Sequence, residues 1–460
     1  MALASELALL FAKRPNVIKP GLDRMLAGLA ALEARAWTER PAVVVAGTNG
    51  KGTTSAFLWQ MLGRLGLTSG LYTSPHLCGF EERMVTTRAA PSEAEVLAEL
   101  ASMRATLPAA LYEELSFFEV GTLLALRFFA RARTDVDVLE IGLGGRWDAV
   151  NVVSGLVSVI TSIGIDHREL LGDSERAIAA EKAGIMRAGR TTVTGEPRGS
   201  EAGQMLVLEA ERRGSRLAAW GDEIQVDGET LVVTLPERRE RRIAWGSTAP
   251  LARFLERNLA LALATLVELG ETNATTRTAL VAYAQGRTEE GALAALAHGV
   301  RRGMWPQPPS LWGRFQRLVG PDARPLLFDV CHNPHGAVAF AEALAACGAL
   351  AGGPLPAAVS ILRDKDHAGI LDVLRARLAP VVLFATSGER ALRREDLASR
   401  HRDLAFASDF ASALAQLPAS AAGPTVVCGS VHAVGEVIEQ LGATPQAALR
   451  DALARGWSDA

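Results

Sequence analysis

Apolar residues recur along the chain in two alternating rhythms. Short, largely apolar runs such as "AVVVAG" and "DVDVLEIGLGG" have the length and β-branched content of buried strands. Between them lie stretches with apolar residues at helical spacing, "EAEVLAELASMRATL" and "EVGTLLALRFFARAR". Strand and helix alternate from Val43 to about Asn151 and continue through "GLVSVITSIGIDH", a helix from about Ser174, and "TTVTG". That order predicts a parallel α/β sheet covered on both faces. Between Arg213 and Trp245 the text changes to "EIQVDGETLVVTLPERRERRIAW", which predicts a β-hairpin decoration, before "LERNLALALATLVEL" returns to helix. "EEGALAALAHG" predicts plain helix, and no internal repeat is evident. The segment Arg301 to Trp312, "RRGMWPQPPSLW", has no periodicity and is rich in proline and tryptophan, so it predicts a linker. A second α/β series follows in "PLLFDVCHNPHG", "AAVSIL", "PVVLFAT" and "TVVCGSVHAVGEVIEQL". The predicted architecture is a first α/β domain over residues 1–300, a linker over 301–312 and a smaller doubly wound α/β domain over 313–460.

A chain of 460 residues with 49% hydrophobic and 22% charged residues can bury two such cores. Its net charge of -3 gives no basic excess for nucleic acid or an anionic membrane, so partners are expected to be small molecules held by local charge. A monomer is also expected. The four cysteines lie far apart, with no metal-ligand spacing and no disulfide framework, which suits the cytoplasm. No leader is expected from "MALASELALLFAKRP" and no apolar stretch is long enough for a membrane span.

The stretch "VVVAGTNGKGTTSAFLWQMLGRLG" reads as strand, phosphate loop and helix. A loop that leaves a strand and opens a helix presents unpaired N–H groups and the positive helix end to a polyphosphate. Gly47, Gly50 and Gly52 would let the backbone approach closely, with Thr48 and Asn49 between them; Lys51 would reach the outer phosphates, and Thr53 or Thr54 would supply a hydroxyl. Gly52 after the lysine departs from the usual GxxxxGK[ST] spacing.

"AGTNGKGTT" is similar to the phosphate loop of the ATP-dependent amide ligases that include the Mur ligases, and its extra glycine resembles the folylpolyglutamate synthase and dihydrofolate synthase branch. "SPHL" with "FEERM", "LEIGLGGRWDAVN", "ITSIGIDHRELLGDSERAIAAEKAGIMRAG", "GRFQRL", "FDVCHNPHGA", "LRDKD" and "VCGSVHAVGE" resemble that family's motifs in the family's order, from about Gly21 to Glu436. The resemblance implies an ATP-binding first domain of P-loop type and a ligase that joins glutamate to dihydropteroate or reduced folates through an acyl phosphate. It further implies ATP with two magnesium ions; Ser74, Glu140 and His167 as metal contacts; and a carbamate on Lys182. It assigns Asn258 to adenine and Arg314, Asp329 and His332 to the rest of the nucleotide. Ser116, Phe117, Phe118, Asp148 and Ala149 would line the pterin pocket, and Ser430 and His432 would meet glutamate. Departures occur at Glu81, at Leu255, at Trp312 and at Val330-Cys331. They bear on substrate preference, so two alternatives stay open: a ligase of the same fold with another carboxylate and amine, and a non-catalytic folate-binding paralogue.

Overall fold

The computed structural model describes residues 5–7, 10, 21–246, 252–388, 390–418 and 423–457. Most of the opening segment, where no leader is expected, lies outside the described residues. The first domain is built on β1 (Ala42–Ala46), β2 (Ser69–Tyr72), β3 (Met84–Thr86), β4 (Val136–Glu140), β5 (Val157–Ile160), β6 (Thr191–Thr194) and β7 (Arg216–Ala219). They form one sheet in the order β3-β2-β4-β1-β5-β6-β7, parallel except for β3. Because side chains alternate across a strand, β1 sends Val44 and Ala46 into one core and Val43 and Val45 into the other. The first core takes the Phe117–Ala132 helix; the second takes the Lys51–Arg64 and Arg253–Thr272 helices. The continuous apolar run of β1 is thus what a strand covered on both faces requires.

The predicted hairpin is instead a separate antiparallel sheet of three strands, β8 (Ile224–Asp227), β9 (Thr230–Thr234) and β10 (Glu240–Ala244), while Arg216–Ala219 extends the main sheet. The second domain carries β11 (Arg314–Val319), β12 (Pro325–Asp329), β13 (Leu355–Val359), β14 (Leu378–Phe384), β15 (Ala405–Ala407) and β16 (Thr425–Cys428) in the order β11-β12-β16-β13-β14-β15. Only β11 runs antiparallel.

Two features cut across the expected division at 301–312. Trp305 is buried, and Gln60 Nε2 donates to Pro306 O at 3.0 Å, so the connector is packed onto the first domain rather than hanging free. The Pro445–Arg455 helix also returns to that domain: Gln446 Nε2 donates to Pro91 O at 3.1 Å, Trp457 Nε1 donates to Thr87 O at 3.0 Å, and the Trp457 ring meets Trp59 edge-on at 5.4 Å. Among the described residues no helix is long and apolar enough to cross a membrane.

Candidate active site

The loop from Gly47 to Gly50 leaves the carboxyl end of β1, where open α/β sheets bind ligands. Two of its glycines are required by space and conformation. Gly47 has φ +148°, and a Cβ there would collide with the Thr161 hydroxyl; Gly50 has φ +84°, and a Cβ would lie 2.5 Å from Asn258 Oδ1. The loop is pinned from β5: Thr48 N–H donates to Ser162 O at 2.6 Å, and Thr161 Oγ1 donates to Asn49 O at 2.7 Å. Thr53 and Thr54 are buried in the first helical turn, and Thr54 Oγ1 has no hydrogen-bond partner among the described residues.

Three charged side chains converge under this loop. Lys51 Nζ donates to Gly47 O at 3.1 Å and to Thr48 O at 3.2 Å, and Lys182 Nζ donates to the same Gly47 carbonyl at 2.9 Å. Lys182 is 4% exposed; burial, with the charge of Lys51 beside it, pulls its amine down to about 7. Lys51 is lowered too, by burial against the opposing pull of Glu140. Glu140 ends β4 at 3% exposure, where burial raises its carboxyl and Lys51 opposes the rise. Its Oε2 accepts from Ser74 N–H at 3.2 Å.

The second domain closes the far wall. A Cβ on Gly52 would stand 3.3 Å from Glu140 Oε2 and 3.8 Å from Arg314 Nη2, so helix start, β4 and β11 meet at one point. The cleft there is lined by Gly52, Ser74, Glu140, Ser310, Trp312 and Arg314, among others. Arg314 pairs in register with Asp329. Burial pushes the Asp329 carboxyl up to about 6, although Arg314 and the N–H groups of Phe315 and Cys331 favour its anion. His332 Nδ1 lies 3.0 Å from Val330 O, and burial takes its imidazole down to about 4. Asn258 sits beneath Gly50.

His167 stands at φ +52° with its side chain 46% exposed, 3.9 Å from Asp166. Among the described residues no three His, Cys, Asp or Glu side chains form a metal cage. Glu140 offers a carboxylate beside Ser74, and His167 an imidazole beside Asp166, as single groups rather than a preformed cage. Oxygen donors in a partial set suit magnesium, which retains waters and takes further ligands from phosphate.

The expected pterin-pocket residues divide. Phe117 and Phe118 are half-buried in an aromatic group with Phe80 and Tyr72, and the Arg83 guanidinium lies 5.0 Å over the Phe117 ring. Ser116 caps the following helix by accepting from Glu119 N–H. Asp148 accepts from the N–H groups of Gly142, Leu143 and Val150 and so closes the backbone of the loop after β4, and Ala149 is buried in the first core. Ser430 is buried with Oγ unpartnered among the described residues. Next to it, Val431 lines the cleft, and His432 is exposed within the field of Arg390 and Arg83. Of the departures, Glu81 and Cys331 are buried, and Leu255 and Trp312 pack against the cores.

Sequence reasoning missed Asp166, Lys365, Asn333 and Arg83. The motifs "GIDH", "LRDKD", "CHNP" and "FEERM" contained them; Lys365 and Arg83 stand in charged runs that read as solvated surface, and no local spacing set them apart from their neighbours.

No family model matches the chain. The dihydrofolate synthase/folylpolyglutamate synthase of Escherichia coli is 32% identical over 449 residues, 96% of each chain. The Yersinia pestis bifunctional folylpolyglutamate synthase/dihydrofolate synthase with Mn, AMPPNP and L-glutamate bound superposes with a TM-score of 0.75 at 30% identity, over 96% of this chain and 98% of that one. E. coli FolC in complex with DHPP and ADP gives 0.75 at 29% identity with the same coverage. At 32% identity over 96% of both chains, and with a superposable fold over nearly the whole length, the chain belongs to the folylpolyglutamate synthase/dihydrofolate synthase family.

Proposed function

We propose that the chain is an ATP-dependent amide ligase that joins L-glutamate to dihydropteroate, to the glutamate tail of reduced folates, or to both. The observation that carries this reading is the single cleft in which Lys51, Glu140 and Arg314, from three elements and two domains, surround Gly52 at the mouth of the phosphate loop. Phosphoryl transfer to a carboxylate is mostly positioning and charge neutralisation, and these residues supply both. The acyl phosphate so formed is attacked by the glutamate amine, which displaces phosphate and leaves the amide.

Lys51 and the loop N–H groups would hold the outer phosphates, with Thr53 and Thr54 at the helix start. Arg314, Asp329, His332 and Asn258 would hold the rest of the nucleotide. Ser74 and Glu140 would bind one magnesium ion, and His167 a second, together with a carbamate on Lys182. Magnesium supplies charge neutralisation between phosphate oxygens. Lys182 supports the carbamate because its amine, lowered to about 7, is substantially neutral near physiological pH and can attack carbon dioxide. Phe117 and Phe118 would face the pterin, with Ser116, Asp148 and Ala149 shaping its pocket, and Ser430 and His432 would meet glutamate. The two domains would be 1–300 and 313–460, and the chain would work in the cytoplasm, where its four free cysteines stay reduced.

The test is ADP release by purified protein with ATP, magnesium, glutamate and either dihydropteroate or tetrahydrofolate. Glutamate-dependent release with at least one of them is expected. Nucleotide binding without release on either would refute the reading.

A further inference from the structure

A chain of polar side chains crosses from the second domain to the phosphate loop. Asp166, just after β5, accepts Lys365 Nζ on Oδ1 at 3.0 Å and Asn333 Nδ2 on Oδ2 at 3.2 Å. Asn333 then exchanges two hydrogen bonds with Asn49, at 3.1 and 3.3 Å. Lys365 follows β13 and Asn333 follows β12, whereas Asp166 and Asn49 belong to the first domain. Neither partner of the ion pair is free in solvent: Lys365 is 13% exposed and Asp166 is 12% exposed. At its other end the chain reaches the catalytic loop directly, since Asn49 O is held by the hydroxyls of Thr161 and Ser162. A shielded ion pair of this kind is costly to break from one side, because the remaining charge is left without its partner.

We infer that Lys365 is a positioning residue: its ion pair with Asp166 latches the second domain over the phosphate loop, and Asn333 with Asn49 passes that closure to the loop. The latch accounts for how residues in two domains acquire one nucleotide-binding geometry. It rests on the ligase reading only in taking ATP as the nucleotide.

The test compares the parent with Lys365→Met, Asp166→Asn, the double variant and Lys365→Arg. Affinity for a non-hydrolysable ATP analogue with magnesium is measured by calorimetry, and compaction by small-angle scattering at saturating analogue. Each single neutralisation is expected to weaken binding about tenfold or more, because open and closed populations shift together with affinity. The saturated complex should also be less compact. The double variant should be little worse than the worse single one, as coupled partners are non-additive. Lys365→Arg should recover most of the affinity.

Parental affinity and compaction in Lys365→Met would overturn the inference. So would multiplicative losses in the double variant, or a defect confined to the KM for glutamate. If Lys365→Met fails to fold, Lys365→Gln is read by the same criteria. Failure of the ligase reading is separate: a parent protein that binds nucleotide and compacts, yet releases no ADP with glutamate and either pterin substrate.

Discussion

Replacing Lys182 by methionine should stabilise the protein while removing its activity. The amine is 4% exposed and sits beside Lys51, and its pKa falls from 10.5 to about 7. At 1.36 kcal/mol per pH unit, holding the protonated form in the folded state costs about 5 kcal/mol relative to the unfolded chain. The folded state binds fewer protons than the unfolded state between pH 7 and 10.5, so this cost is fully present below pH 7 and fades as pH rises. Methionine fills most of the same space but forfeits the hydrogen bond to Gly47 O, a loss of about 1–3 kcal/mol for a charged donor. The variant is therefore expected to be more stable than the parent by roughly 2–4 kcal/mol at pH 6.5 and nearly equal to it by pH 9. Urea unfolding across that range, in buffer purged of carbon dioxide so that no carbamate forms, measures the difference. A difference that does not change with pH, or a variant less stable than the parent at pH 6.5, would refute the claim that this amine is destabilised as a cation. It would remove with it the reason for expecting a carbamate there.

Lys51→Ala should lose on the order of 10³-fold or more in turnover with the thermal midpoint little changed, since the side chain contacts carbonyls of its own loop; steady-state ADP release within a factor of about ten of the parent would contradict the assignment. A non-hydrolysable ATP analogue should compact the protein, because Lys51 and Arg314 belong to different domains; an unchanged radius of gyration with binding confirmed by calorimetry would count against closure. Lys182→Ala should be nearly inactive and partly restored by acetate, which can supply the missing anion in the vacated space, while Lys182→Arg should not be restored. Gly50→Ala should cost about 1–3 kcal/mol of stability, through both its φ of +84° and the approach to Asn258, and should weaken nucleotide binding; thermal unfolding and calorimetry check both parts.

The main sheet was legible because β1 is a continuous apolar run that ends in Gly47, and because the segments between β1 and β4 carry apolar residues at helical spacing. The three-stranded sheet was read as a hairpin because β8, exposed beyond Ile224, carries little apolar signal. The contact of the C-terminal helix with the first domain was not legible because periodicity reports that a face is buried and says nothing of what buries it. Only the structure shows Trp457 against Trp59.

The same limit explains which site residues the motifs could identify. Lys51, Glu140 and Arg314 lie close to glycines or strand ends, so local pattern marks them. Asp148 and Ser116 stand out in sequence in the same way, and in the structure their oxygens also accept from backbone N–H groups two, three, five or six residues away. A short polar side chain beside a loop or helix start is first a candidate for closing its own backbone. Asp166 shows the reverse case: its partners Lys365 and Asn333 lie 199 and 167 residues away in sequence. No local spacing could mark that pairing, because it exists only when the two sheets meet. The residues that bind one domain to the other are thus the least legible part of a two-domain site, even where the groups proposed to meet the phosphates are the most legible.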